Sequence, residues 1–225
     1  MKKFIAAIAA LCLAAGTVGA QEPTSTWPYV YPEFTQGKLV MPGGQEKSAL
    51  FNVHLLYGKL HYIDGDLIKE VSNKDIFSVQ IGPDVYVCAN TRMMKLLARN
   101  DSGCVLQDTE IDVVKLNSTG GAYGSSTSSV STRALSSLEG IGGTNSSNNI
   151  NHMELRASRE SGQVLPLLQK NYLLVNGRAV EANRKEVSDA VEDRAALGAF
   201  LKENKIKWKD PQSLMLLVDY LSSHE

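Results

Sequence analysis

Between residues 32 and 116, short apolar runs alternate with turn-forming residues. The runs cover residues 37–41, 48–56, 59–63, 67–71, 77–81, 85–89, 92–99 and 104–114. Pro42-Gly43-Gly44, Tyr57-Gly58, Asp64-Gly65-Asp66, Gly82-Pro83-Asp84 and Asn100-Asp101-Ser102-Gly103 separate them. Short runs bounded by such residues predict antiparallel strands in a meander. No long helical period interrupts them, so about seven or eight strands form a curled sheet, small barrel or sandwich.

One hairpin can be read face by face. A two-residue turn at Tyr57-Gly58 would set Leu56 opposite Lys59, Leu55 opposite Leu60 and His54 opposite His61. Strand alternation then gathers Phe51, Val53, Leu55, Leu60 and Tyr62 on a core face. Asn52, His54, Lys59 and His61 fall on the other face, which this reading leaves to solvent or a partner.

The pattern changes after residue 116. Residues 117–151 are dominated by Ser, Thr, Gly and Asn, with Arg133 and Glu139 as their charges. Too little apolar surface is present to offset ordering, which predicts a flexible linker or very long loop. Beyond it, residues 172–175 and 178–182 flank Asn176-Gly177, a strong hairpin signal. Asn183 with Glu186 starts one helix, and Asp193 caps a second that carries Leu197, Phe200 and Leu201. Asn204 is the expected left-handed stop, and Asp210-Pro211 starts a third helix striped by Leu214, Leu217, Val218 and Leu221. The fold class is therefore α+β. A β domain over residues 21–116 is followed by a linker over 117–151 and a small hairpin-plus-helices module over 152–225.

Residues 1–20 read as a secretory signal peptide. Lys2 and Lys3 precede a short apolar stretch, and Val18-Gly19-Ala20 offers a cleavage site after Ala20. Leu11 before Cys12 is too large for a lipobox, which favours a soluble exported protein, periplasmic or associated with the envelope. The 225-residue chain has 23 basic and 24 acidic residues, and loss of Lys2 and Lys3 makes the remainder slightly more acidic. That balance gives no footprint for nucleic acid. No apolar run reaches the ~18–20 residues of a transmembrane helix. Cys88 and Cys104 permit one disulfide in an exported protein. Their places at opposite ends of a three-strand meander argue against it, because bonded cysteines need Cα atoms within ~7 Å.

Candidate chemistry is sparse. His54 and His61, if opposed, would have Cβ atoms ~4.5–5.5 Å apart and could share a metal in a hydrolase. A zinc site needs a third protein ligand, and Asp64 falls on the opposite face. The simpler reading is two polar residues on a wet sheet face. Trp27, Tyr29 and Tyr31 alternate along an extended segment, which would put three rings on one side. They are either a stacking platform for a glycan or peptide, or an edge strand folding its aromatics onto the core. Lys202, Lys205, Lys207 and Lys209 are interrupted by Glu203 and Asp210 and read as a solvated face. Glu186, Asp189, Glu192 and Asp193 read as an exposed helix face. No nucleophile elbow, zinc-binding helix, phosphate loop or paired Cys-x-x-Cys occurs, and nothing points to a cofactor.

The segment from Phe200 to Trp208, followed by Leu214 and Tyr220-Leu221, resembles a C-terminal tail of uncharacterised exported proteins of gut-dwelling Gram-negative bacteria. Tyr31-Pro32-Glu33-Phe34 and the meander after it are similar to the β region of that group. The group has no established activity, so the resemblance implies export and architecture and no catalytic residue. The resulting expectation is a non-enzymatic binding or scaffolding protein of the envelope, contacting a protein or glycan. A metal-dependent hydrolase at His54 and His61 and a glycan-binding module at Trp27, Tyr29 and Tyr31 are the alternatives.

Overall fold

A computed structural model describes residues 24–25, 27–118, 150–151 and 165–224. The expected signal peptide and residues 119–149 of the expected linker lie outside the described residues. The strands are β1 (Thr24–Ser25), β2 (Thr35–Val40), β3 (Glu46–His54), β4 (Lys59–Asp64), β5 (Leu67–Glu70) and β6 (Ser78–Ile81). They continue with β7 (Asp84–Ala89), β8 (Arg92–Asn100), β9 (Gly103–Ile111), β10 (Ile150–Asn151), β11 (Leu165–Val175) and β12 (Arg178–Glu181). The helices are α1 (Val113–Ser118), α2 (Arg184–Asp189), α3 (Arg194–Asn204) and α4 (Pro211–Ser223). None of the described helices is long and apolar enough to cross a membrane.

The expected α+β architecture is present. Among the described residues, the strands form one antiparallel sheet in the order β1-β11-β9-β8-β7-β6-β2-β3-β4-β5-β10, with β12 also on β11. The eight strands from β2 to β9 follow the apolar runs because glycines and prolines fix the turns between them. The sheet curls into a half-barrel until the start of β4 meets β8. There the Met93 N–H donates to the Gly58 carbonyl at 2.7 Å. Gly58 has φ +64°, and a Cβ on it would stand 2.8 Å from the Arg92 Cβ, so both conformation and space require glycine. Leu39, Phe51, Val53, Leu60, Val79, Ile81, Tyr86 and Met93 fill the inside of the curl.

Two local differences from the sequence reading have simple causes. Residues 112–114 leave the strand because Asp112 caps α1, its carboxylate accepting from the Lys115 N–H at 2.8 Å. The left-handed stop of α3 is Lys205 (φ 48°) rather than Asn204, whose side-chain amide instead donates to the Phe200 carbonyl. The three expected N-caps, Asn183, Asp193 and Asp210, all accept backbone N–H groups of their helices.

A larger correction concerns domain organisation. The C-terminal hairpin does not stand apart from the β domain. β11 pairs with β9 from Leu167 opposite Ile111 to Leu174 opposite Cys104, while its end pairs with β12 on the other side. Leu214, Leu217, Val218 and Leu221 of α4 pack with Val105 of β9 and Leu173 and Val175 of β11 in one apolar core. Residues on both sides of the expected linker thus share a sheet and a core, which leaves no pair of separately tethered modules. The first half of β11 escaped the sequence reading because Pro166, Gln169 and Lys170 give it little strand character. Pro166 is tolerated at the beginning of the strand.

Candidate functional site

The histidine pair and two members of the aromatic run, Trp27 and Tyr29, come together in one cluster. Residues 28–30 extend the track of β2 along the end of β3: Val30 N–H donates to the Val53 carbonyl and Leu55 N–H to the Pro28 carbonyl. Tyr29 pairs with His54. Between this segment and β2 the chain bulges, and the Asn52 side chain fills the break. Its amide oxygen accepts from Tyr31 N–H at 3.0 Å, and its amide nitrogen donates to the carbonyls of Tyr31 and Glu33. A buried side-chain amide replaces the missing strand partner.

This strap carries Tyr29 across the histidines. The phenol lies 2.8 Å from His61 Nδ1, and His61 Nε2 is 3.7 Å from the Glu70 carboxylate. Trp27 and Phe34 pack their rings against Tyr29, each at 5.0 Å between centroids. His54 stacks on Tyr57 at 5.7 Å and lies 5.3 Å from His61. It is 0% exposed, and neither ring nitrogen has a hydrogen-bond partner. Burial first, then the charges of His61 and Arg92, hold its pKa well below the ordinary imidazole range. Burial also raises the Tyr29 phenol far above its usual value.

The register differs from the expected one. Gly58 N–H donates to the His54 carbonyl, so residues 55–58 form a four-residue loop. His54 then faces Lys59, and His61 faces Asn52. A shift of two preserves the faces, so Asn52, His54 and His61 still share one. That face is not wet, however, because the strap covers it. Among the described residues, no group of three His, Cys, Asp or Glu converges in a way that could hold a metal. Asp64 pairs instead with Lys69 on the surface.

The three aromatics do not share one side. Tyr29 lies over the histidines with Trp27 packed on its ring, whereas Tyr31 turns toward the half-barrel and places its hydroxyl 2.7 Å from Asp84 and 2.9 Å from Tyr86. Burial pushes the Tyr86 phenol up to about 12, against the opposing pull of its bond to Tyr31. Trp27 and Tyr29 are buried and offer no open stacking surface. Cys88 and Cys104 are free thiols, and burial raises both above the ordinary range.

Next to this cluster, Arg92 grips Asp108 through two hydrogen bonds of 2.6 and 3.2 Å and donates to the Leu56 carbonyl. Glu110 bridges Arg92 and Lys170. Burial raises the Asp108 carboxyl despite the opposing pull of Arg92. The paired geometry marks this network as a fastening between β8, β9, β11 and the loop before β4.

An open cleft of about 410 Å³ lies on the helical side of the molecule. Arg184, Gly198, Leu201, Lys202, Lys205, Ile206 and Trp208 line it. The left-handed turn at Lys205 brings Ile206 and half-buried Trp208 back beneath α3, where they pack on the helical core. No acidic side chain lines the cleft, and Arg184, Lys202 and Lys205 have no ion pair to another described residue. A Cβ added to Gly198 would meet nothing within 4 Å. Sequence reasoning assigned these lysines to a solvated face. The signals that mark the cleft are a glycine in mid-helix and a tryptophan among lysines.

Comparisons with protein-family models, curated proteins and solved structures gave no match.

Proposed function

We propose that this is an exported, non-enzymatic binding or scaffolding protein of the cell envelope, and that it engages a protein partner through the cleft on α2 and α3. Gly198 carries this reading. Glycine inside a helix costs about 1 kcal/mol relative to alanine. Here neither backbone conformation nor a close neighbour asks for it, and its missing side chain keeps the cleft open. The cleft, about 410 Å³, sets the apolar side chains of Leu201, Ile206 and Trp208 beside three cations, which offers a partner both apolar and charged contacts. The buried histidines argue against catalysis at the other cluster: a base must reach its substrate, and His54 and His61 are sealed under Tyr29.

The test fills the cleft with Gly198→Phe, at a position where an added Cβ meets nothing within 4 Å. The chain from residue 21 to 225 and this variant are each crosslinked through lysines in an envelope fraction, purified, and mapped by mass spectrometry. A partner joined at Lys202 or Lys205 in the parent and lost in the variant is the expected result. A partner held equally by both would refute the assignment to this cleft.

A further inference from the structure

We infer that the cleft takes an acidic, leucine-like segment of a partner polypeptide; this rests on the cleft being the binding site. Its polar lining consists of cations alone. Arg184, Lys202 and Lys205 supply donors and positive charge, and no side chain lining the cleft supplies a carboxylate or amide acceptor. A neutral glycan's hydroxyls can accept from these groups but bring no charge to balance them. A carboxylate only accepts, and it carries the opposite charge to all three groups. Leu201, Ile206 and the exposed part of Trp208 form an apolar floor beside those charges. The occupant therefore carries an aliphatic group next to its acid. The cleft is open rather than enclosed, which suits a segment protruding from a larger partner. Charge complementarity points the same way, since three cations with no ion pair to another described residue cluster on a protein whose overall balance is slightly acidic.

Trp208 reports occupancy directly. The chain has two tryptophans, and the other, Trp27, is buried within the strap and gives a constant background. The full chain is titrated with an acetylated, amidated hexapeptide of alternating aspartate and leucine, with its asparagine–leucine twin, and with a uronic acid oligomer. The acidic peptide should bind at least about tenfold tighter than the neutral twin, and salt should close that gap. Lys202→Glu with Lys205→Glu, both on exposed side chains, should abolish the preference, and Gly198→Phe should abolish binding of either peptide. Equal, salt-insensitive binding of the two peptides overturns the inference but leaves the cleft as a binding site. Binding of the uronate oligomer in place of the peptide also overturns it. Silence with every probe, together with a partner that Gly198→Phe does not displace, removes both readings.

Discussion

His54 should make the fold acid-sensitive, and replacing it should relieve that sensitivity. Its imidazole is fully buried, has no hydrogen-bond partner at either nitrogen, and lies near His61 and Arg92. The groups around it are the rings of Tyr29 and Tyr57, the His61–Glu70 pair, and an Arg92 already committed to Asp108. None of them is a free anion that could welcome a second positive charge. The native pKa is therefore depressed, whereas the unfolded chain titrates near 6.5. The stabilising contribution is present above the unfolded value and is lost as pH falls below it, because only the unfolded state takes up the proton. With native uptake suppressed, integration from pH 7 to pH 5 gives a loss of about 2 kcal/mol. Leucine at this position removes both the proton-binding site and the two unpaired nitrogens. His54→Leu should thus be the more stable protein at pH 5, with a smaller advantage at pH 7. Urea unfolding followed by tryptophan fluorescence at several pH values measures this difference. If parent and variant lose stability in parallel between pH 7 and pH 5, the native imidazole accepts its proton and the argument is wrong.

Two further outcomes follow from the same reasoning. Arg92→Met leaves the buried Asp108 carboxylate without its guanidinium and should cost about 3–5 kcal/mol in urea unfolding, with much of that loss recovered when Asp108→Asn is added. Gly198→Ala adds a methyl that meets no neighbour and should raise stability by about 0.5–1 kcal/mol; a decrease would show that the helix needs glycine there.

The half-barrel was legible because its turns are written locally. Gly43, Gly44, Gly65 and Gly82 all adopt positive φ at the turns where the runs break. The helix starts were legible for a similar reason: Asn183, Asp193 and Asp210 act on amides within three positions of themselves. What escaped depends on distant partners. A two-residue turn and a four-residue loop at 55–58 give the same inside–outside pattern, so alternation fixes the faces of His54 and His61 but not their opposition. Their burial is decided by residues 27–34, whose path along β3 rests on the side chain of Asn52. The first half of β11 owes its conformation to β9 rather than to its own composition. The cleft is less visible still, because it exists only once the turn at Lys205 returns the chain beneath α3.

The placement of β11 has a consequence for the order in which the molecule assembles. Its partners on β9 are separated from it by the whole of residues 112–164, and Thr24 and Ser25, near the start of the chain, pair with Pro166 and Leu165. Pairings that close such long loops lose much chain entropy before contacts repay it, so they form slowly. The local hairpins from β2 to β9 can form first. The strap can be anchored at its outer end only after the second half of the chain has arrived. Until then the edge of β9 is open and available to a neighbouring chain. The first residues of the fold are thus among the last to find their place, and the late pairing of β11 is also the one that covers the open edge of β9.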